Sequence, residues 1–274
     1  MRIGRVLTFL AVLIGGYSLI LGGVYVFQRN LIYFPDRTAP DLTNSGLAGV
    51  AEATYTTADG VPLLSWYRQP DPGMPTVLYF HGNAGHIGSR IDKIRPFVAA
   101  GYGVLLAGYR GYGGNGGSPG EQGLYADARA AVEFLNARGT AAKDLVLYGE
   151  SLGSAVATRM AAELSGQAGG VLALVLEAPF TSVVEAAASF YPIFPVRWVL
   201  HDRFDSGSII GRVETPVFIL HGENDTTMPI RFGKKLYDRA AQPKESLWIA
   251  GAGHNDLFEH GGGAAVLDFI ARHR

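Results

Sequence analysis

The stretch Leu145-Val-Leu-Tyr-Gly-Glu-Ser-Leu-Gly153 decides the fold of this 274-residue chain. Its first four residues are apolar and predict a strand, and a helical pattern over Leu152–Ser165 follows the serine. The intervening Gly-x-Ser-x-Gly pattern is typical of a nucleophilic serine on a sharp turn from strand to helix. Glycines are expected at its two ends because side chains there would collide with neighbouring backbone. The stretch therefore predicts a strained Ser151 at the carboxyl end of a strand.

Apolar strand patterns alternate with helical patterns on both sides of this turn. Such alternation predicts an α/β fold with a mostly parallel, doubly wound sheet and right-handed crossovers. Most of the strand patterns are short, continuous apolar runs, which suit strands covered on both faces. The first two flank Ala58-Asp59-Gly60 and predict an antiparallel hairpin at one edge of the sheet. The predicted strands are Ala53–Thr57, Val61–Arg68, Thr76–His81, Val104–Ala107, Leu145–Tyr148, Leu172–Glu177, Val217–His221 and Ser246–Ala250, and the predicted helices are Ser89–Ala100, Leu124–Arg138, Leu152–Ser165, Arg231–Ala241 and Gly262–Arg272.

The N-terminal segment contains an uncharged apolar run, Val6–Phe27, between Arg5 and Arg29. As a helix this run would be ~33 Å long, enough to cross a hydrocarbon core of about 30 Å. A cleaved signal peptide is the alternative, but it would have a shorter apolar run and a small-x-small cleavage site. We therefore predict an uncleaved single-pass membrane anchor over residues 1–29. Arg2 and Arg5 favour a cytoplasmic N-terminus, which places the rest of the chain on the exported side.

Two further segments interrupt the alternation. Residues 30–49 contain prolines, Asn44 and Gly46, and predict a connector before a catalytic domain over residues 50–274. Residues 180–213 have no clean periodicity and are rich in aromatic side chains. These aromatics either pack on the core of an irregular connection or form a short helical cap with an apolar acyl pocket. We expect the cap, with a pocket formed by Phe180, Phe190, Tyr191, Phe194 and Trp198.

A serine hydroxyl needs a general base, and the chain order Ser, acid, His guides the choice of partners. His254 follows the last predicted strand, and Asp225 follows the strand before it. Both therefore belong at the same sheet edge as Ser151, where His254 would take the serine proton and Asp225 would orient the imidazole. The rival acids are Glu223, which comes earlier in its loop, Asp256, which lies close to His254 in sequence, and Glu177, which ends a strand. We expect His81 and His221, each before a glycine at a strand end, to be structural.

Acyl transfer also needs two donors for the developing oxyanion. One is expected to be the backbone N–H of Leu152, directly after the serine. The other is expected from the loop His81-Gly82-Asn83-Ala84-Gly85, where Gly82 lets the chain turn inward before the N–H of Asn83. A plain glycine-rich turn is the alternative for this loop.

Composition excludes several other classes of function. The net charge is −1 and the basic residues are scattered, so no nucleic-acid partner is expected. Without cysteine, the chain has no disulfide, thiolate nucleophile or Cys-ligated zinc. It also lacks an H-E-x-x-H motif, and its glycine-rich run at residues 111–120 lacks the G-K-[ST] ending of a phosphate-binding loop. Neither a metal nor a cofactor is therefore expected.

Five motifs lie along the chain: Leu31-Ile-Tyr-Phe-Pro, Tyr79-Phe-His-Gly-Asn-Ala-Gly, Tyr109-Arg-Gly-Tyr-Gly, Gly149-Glu-Ser-Leu-Gly and Gly253-His-Asn-Asp. Together they resemble one branch of the α/β-hydrolase superfamily, the membrane-anchored serine hydrolases related to protein depalmitoylases and bud-emergence-type hydrolases. The resemblance implies ester or thioester hydrolysis through an acyl-enzyme and a triad of Ser151, Asp225 and His254. Gly108 departs from the aspartate common in this branch, and Asn115-Gly116 from its Arg-Ser.

The sequence thus predicts a membrane-anchored acyl hydrolase that acts on a small or lipid-like ester or thioester. One alternative is a catalytically silent scaffold or binding protein, because fold alone does not determine function. Another is a serine peptidase, which in this fold would usually carry a large extra domain.

Overall fold

The structure, a computed structural model, describes residues 2–166 and 170–274. Over these residues the strands are β1 (Phe34–Pro35), β2 (Ala51–Thr56), β3 (Pro62–Arg68), β4 (Thr76–Phe80), β5 (Ala84–Gly85), β6 (Gly103–Ala107), β7 (Leu145–Glu150), β8 (Ala173–Glu177), β9 (Val217–Gly222) and β10 (Lys244–Ile249). The α-helices are α1 (Arg2–Ile32), α2 (Ile91–Ala99), α3 (Glu121–Asn136), α4 (Leu152–Leu164), α5 (Val183–Phe190), α6 (Val196–Val199), α7 (Arg231–Arg239) and α8 (Gly262–His273).

Eight of these strands form one sheet in the order β10-β9-β8-β7-β4-β6-β3-β2. Strands β4 and β6 to β10 pair in parallel, whereas β2 pairs with β3, and β3 with β6, in antiparallel register. The hairpin predicted around Ala58-Asp59-Gly60 therefore forms one edge of the sheet. This arrangement confirms the predicted α/β-hydrolase fold.

The central strands are buried along their whole length, as their continuous apolar sequences predict. Alternate side chains of each strand point to opposite faces of the sheet. On β4, Leu78 and Phe80 pack with α3, α4 and α7, whereas Val77 and Tyr79 pack with α2 and α8. Two apolar clusters therefore hold the sheet between layers of helices and fix the carboxyl ends of its strands as one edge.

Helices α5 and α6 lie between β8 and β9, within the predicted cap segment 180–213. Helix α1 is long and apolar enough to cross a membrane. It continues past residue 29 to Ile32, so its last turn falls in the segment that the sequence predicts as a connector. Directly after it, β1 pairs in parallel with β5, which forms the last two residues of the predicted oxyanion loop.

Candidate active site

Ser151 lies at the turn between β7 and α4 with a backbone φ of +49°, in the left-handed region. A non-glycine residue rarely adopts this conformation, which is found at strained functional positions. The Ser151 N–H donates to the carbonyl of Glu177 at 2.8 Å and so ties the turn to β8. A Cβ at Gly149 would lie 2.4 Å from the Gly153 carbonyl oxygen, and one at Gly153 would lie 2.0 Å from the Phe80 carbonyl oxygen. The predicted steric need for both glycines is confirmed.

Replacing Gly153 with alanine is expected to lower the free energy of unfolding by about 3 kcal/mol or more, because neither α4 nor β4 can move without disturbing the core. Thermal unfolding of the full-length protein in detergent measures this change. Gly116→Ala is the matched control, since a Cβ at Gly116 would meet no atom within 4 Å. Equal unfolding temperatures for the two variants would contradict the account of the turn.

The structure brings Ser151, His254 and Asp225 into one hydrogen-bonded chain. The Nε2 atom of His254 lies 3.1 Å from the Ser151 Oγ, and its Nδ1 atom lies 2.6 Å from Oδ2 of Asp225. Each residue follows the carboxyl end of a parallel strand: β7, β9 and β10 respectively for Ser151, Asp225 and His254. These distances suit transfer of the serine proton to an imidazole whose orientation the carboxylate holds.

The rival acids lie in other environments. Glu177 is buried and paired with Lys93 and with the hydroxyl of Tyr148. Asp256 accepts the N–H of Gly253 at 2.7 Å, and the side chain of Glu223 is exposed. Among the three rivals and Asp225, only Asp225 contacts the His254 ring.

Asp225 is held by more partners than the sequence indicates. Its Oδ1 atom accepts the Met228 N–H at 2.7 Å, and its Oδ2 atom lies 3.1 Å from Nε2 of His221 as well as near His254. Burial opposes ionisation of Asp225, but the hydrogen bonds from His221 and His254 keep its pKa below the usual value. His221 is fully buried, and the sequence treats it only as a structural strand-end histidine. Its spacing of four residues from Asp225 allows this contact but does not predict it.

The two predicted oxyanion donors, Asn83 and Leu152, line the same cavity as Ser151. Within the part of the chain that the structure describes, the N–H of Asn83 makes no hydrogen bond. The Asn83 carbonyl accepts the hydroxyl of Tyr112 at 2.8 Å and the N–H of Phe34 at 2.9 Å. These two bonds fix the peptide on the far side of Asn83 and leave its N–H available to a ligand. The N-terminus of α4, which begins at Leu152, adds a positive dipole end at the same place.

A buried ion pair between Arg90 and Glu150 holds the residue directly before Ser151 in place. Glu150, the residue before the serine, accepts two hydrogen bonds from Arg90 at 2.7 and 3.0 Å and one from the hydroxyl of Tyr79 at 2.7 Å. Burial alone would raise the pKa of Glu150, but the Arg90 guanidinium lowers it to about 2. The carboxylate is therefore charged at neutral pH, and it fixes the backbone directly before Ser151.

Ser151 opens into a cavity of about 620 Å³ with a largely apolar wall, within the usual size range of small-molecule sites. Of the predicted pocket residues, Phe180, Phe190, Tyr191 and Phe194 line this cavity. Trp198 is 88% exposed and does not line it. The prediction that Trp198 belongs to the pocket is therefore wrong. Helix α6 buries Val196 and Val199 instead.

The opposite wall of the cavity is formed by residues that the sequence predicts to belong to the membrane anchor and the connector. Its lining there consists of Val24, Gln28, Leu31, Ile32 and Phe34. Periodicity within α1 could not reveal this contact, because the helix is apolar on all sides. In the described ranges, 2–166 and 170–274, no cluster of three or more histidine, aspartate or glutamate side chains is arranged to hold a metal ion.

Comparison with known proteins identifies the family. A model for the family described as "Serine aminopeptidase, S33" (Hydrolase_4) matches residues 73–209, which include Ser151 and most of the cap segment. This chain therefore belongs to that family of hydrolases, within the α/β-hydrolase superfamily, as the sequence motifs predict.

Two similar proteins match this chain over different shares of its length. It is 38% identical over 262 residues to the uncharacterized protein Rv2307c of Mycobacterium tuberculosis, a match that covers 93% of this chain and 91% of the relative. It is 37% identical over 195 residues to the lysophosphatidylserine lipase ABHD12 of Danio rerio. That match covers 65% of this chain and 51% of the lipase, so the chain spans about half the length of this relative.

Solved structures agree on the fold. The esterase Pf2001 of Pyrococcus furiosus superposes with a TM-score of 0.70 over 88% of this chain and 97% of the esterase, at 20% identity. The α/β hydrolase GrgF from Penicillium superposes with a TM-score of 0.67 over 82% of this chain and 98% of that protein, at 18% identity. At these identities the likeness is one of architecture.

Proposed function

We propose that this protein is a serine hydrolase that cleaves carboxylic ester or thioester bonds through an acyl-enzyme. The observation that carries the proposal is the hydrogen-bonded chain from Ser151 through His254 to Asp225 at the base of an apolar cavity. A serine, an imidazole and a carboxylate in this geometry are the components of acyl transfer by covalent catalysis.

In the first half-reaction the Ser151 Oγ attacks the acyl carbon, and His254 Nε2 accepts the serine proton. The carbonyl oxygen becomes an oxyanion, which the N–H groups of Leu152 and Asn83 bind. When this intermediate collapses, the bond to the alcohol or thiol breaks and His254 returns the proton to the leaving group. A water molecule then repeats the sequence on the acyl-serine and releases the carboxylic acid.

The apolar wall of the cavity favours an acyl group over a charged or peptide ligand. Esterase and lipase names among the similar proteins are consistent with an ester or lipid-like substrate. Helix α1 has the length and composition of a membrane anchor. Arg2 and Arg5, which precede the uncharged run Val6–Phe27 in the first turns of α1, favour a catalytic domain on the exported side.

Peptidase activity is the second candidate, because the matching family model carries a peptidase description. The two activities are separated by assaying the full-length protein in detergent against p-nitrophenyl esters from acetate to palmitate, acyl-coenzyme A thioesters and aminoacyl p-nitroanilides. We expect the protein to hydrolyse the esters or thioesters and to hydrolyse the anilides much more slowly. The reason is that no charged side chain among the described lining residues could bind a free peptide amine. Preferential cleavage of the anilides would favour the peptidase instead. A scaffold without catalysis would hydrolyse none of them.

A further inference from the structure

We propose that α1 and the tip of the cap form one lipid-embedded surface, and that an ester resident in the bilayer reaches Ser151 through the cavity between them. The tip of the cap is defined here as residues 190–198. This inference rests on the proposed ester hydrolysis and adds the route and physical state of the substrate. It makes α1 a wall of the active site as well as an anchor.

The cavity lies between α1 and the cap. Val24 and Leu31 of α1 line it on one side, and Phe190 and Phe194 of the cap line it on the other. Leu31 is also largely exposed, so it belongs to the rim as well as to the wall. An apolar ligand in this cavity would therefore contact the same helix that lies in the membrane.

The last turns of α1 are fixed to the domain by buried polar contacts. The side chain of Gln28, only 2% exposed, donates to the Val199 carbonyl at 3.1 Å and accepts the His201 N–H at 2.6 Å. Arg29 pairs with the buried carboxylate of Asp202 at 3.0 Å. Because a buried amide is costly to leave without partners, these contacts oppose separation of α1 from the cap.

The end of α1 also contacts the loop that supplies the proposed oxyanion donor. The side-chain amide of Asn83 donates to the Ile32 carbonyl at 2.7 Å, and the Phe34 N–H donates to the Asn83 carbonyl at 2.9 Å. The position of the helix and the position of this catalytic loop are therefore linked through one residue.

The cap contacts α1 far from its C-terminal end. The hydroxyl of Tyr17 donates to the Ile193 carbonyl at 2.7 Å, and the rings of Tyr17 and Phe194 stack with centroids 6.1 Å apart. Tyr17 precedes Phe27, the end of the uncharged run, by ten residues, which corresponds to ~15 Å along a helix. If that run occupies the bilayer, the tip of the cap lies at or below the lipid surface.

The exposed apolar side chains have the same location. Among the described residues outside α1, the large apolar side chains with high exposure are Phe34, Phe190, Tyr191, Ile193 and Trp198. All but Phe34 belong to the tip of the cap, and Phe34 follows α1 directly. Clustered exposed apolar groups mark an interaction surface, and tyrosine and tryptophan are typical of the membrane interface.

A bilayer is the occupant that fits this surface. The exposed apolar surface of the cap tip is continuous with the apolar helix α1, so any lipid that surrounds the helix also contacts the tip of the cap. Arg197, next to Trp198 in sequence, and Arg203, which donates to the Arg197 carbonyl at 3.2 Å, are both exposed. Basic side chains at this position can contact lipid headgroups. A protein partner would have to cover the same patch without displacing the lipid around α1.

The lipid contact is tested with full-length protein in nanodiscs that contain phosphatidylcholine brominated in mid-chain, which quenches nearby tryptophan. Trp66 is buried in the core and Trp248 lies on the distant edge strand β10, so Trp198 is the informative fluorophore. We expect brominated lipid to quench the tryptophan fluorescence of the wild-type protein. The fluorescence of the Trp198→Phe variant should be quenched much less. Equal quenching of the two proteins would place the cap outside the bilayer and overturn the proposal.

The entry route is tested in the same nanodiscs with Val24→Trp, which adds bulk to the cavity wall. We expect it to lower hydrolysis of a membrane-resident p-nitrophenyl palmitate about tenfold relative to that of soluble p-nitrophenyl acetate. Val26→Trp is the matched control, because Val26 is 69% exposed on α1 and does not line the cavity. Equal long-chain to short-chain ratios for the two variants would overturn the route.

Failure of the inference and failure of the proposed function are distinguishable. Fluorophosphonate labelling and acetate hydrolysis report the chemistry at Ser151 without any need for the membrane route. If both persist while Val24→Trp has no selective effect, the route alone is wrong. If the wild-type protein neither reacts with the probe nor hydrolyses any ester or thioester, the proposed function itself is wrong.

Discussion

Replacing Ser151 with alanine is expected to lower ester turnover about 10³-fold or more. The variant keeps His254 and Asp225 but loses the only oxygen within hydrogen-bond distance of His254 Nε2 in the described residues, at 3.1 Å. The acyl-enzyme can then no longer form, and only binding and oxyanion stabilisation remain. Turnover of a p-nitrophenyl ester by purified full-length protein measures the effect.

Ser154→Ala provides the matched control for this experiment. Ser154 lies on the same helix, is fully buried, and its hydroxyl has no hydrogen-bond partner among the described residues. We expect this variant to keep nearly all of the wild-type activity. Comparable losses in Ser151→Ala and Ser154→Ala would show that the effect comes from the packing of α4 and not from a nucleophile.

Asp225→Asn is expected to lower turnover by ~10³- to 10⁴-fold, with little change in the substrate concentration at half-maximal rate. Oδ2 of Asp225 accepts from His254 at 2.6 Å and lies 3.1 Å from His221, so both histidines present N–H groups to one carboxylate. An asparagine amide can offer its NH₂ group to His254, which favours the wrong tautomer for a general base. It also removes the negative charge that stabilises the imidazolium formed during attack.

The control for this prediction is Glu223→Gln, which removes a carboxylate from the same loop at an exposed position. A catalytic role for Asp225 also predicts slower fluorophosphonate labelling of Ser151 in Asp225→Asn at an unchanged unfolding temperature. An Asp225→Asn variant with wild-type labelling kinetics would contradict the role. If activity fell only together with thermal stability, Asp225 would be structural.

The fold could be predicted from the sequence because its central strands are short apolar runs separated by helical patterns. β7 and the Gly149–Gly153 turn also fix the direction of the chain at the key point, since only a glycine fits at either end. The carboxyl ends of parallel strands share one edge of a sheet, so Asp225 and His254 could be placed near Ser151 before any distance was known.

The cavity was harder to predict because its walls come from distant parts of the chain. Val24 and Phe190 line it together, and nothing in their local sequence patterns indicates that they meet. From composition alone, Phe194 and Trp198 of the cap are predicted to line the same pocket. In the structure Phe194 faces the cavity and Trp198 faces outward, because α6 is a single short turn that buries Val196 and Val199.

The contact between His221 and Asp225 is a second feature that local sequence patterns do not predict. The sequence places His221 at a strand end before a glycine, where a structural role is the usual expectation. The bend of the chain after β9 returns Asp225 and Met228 to the His221 ring, with His221 Nε2 within 2.6 Å of the Met228 carbonyl oxygen. Such a contact depends on the loop conformation, which spacing alone does not determine.

The most direct test of the central claim, that Ser151 is the nucleophile, is to map a fluorophosphonate adduct. Full-length protein in detergent is treated with the probe and digested, and the modified peptide is sequenced by mass spectrometry. We predict one adduct per chain, located on Ser151, with loss of ester hydrolysis in proportion to labelling. An adduct on any other residue, or full inhibition without modification of Ser151, would contradict it.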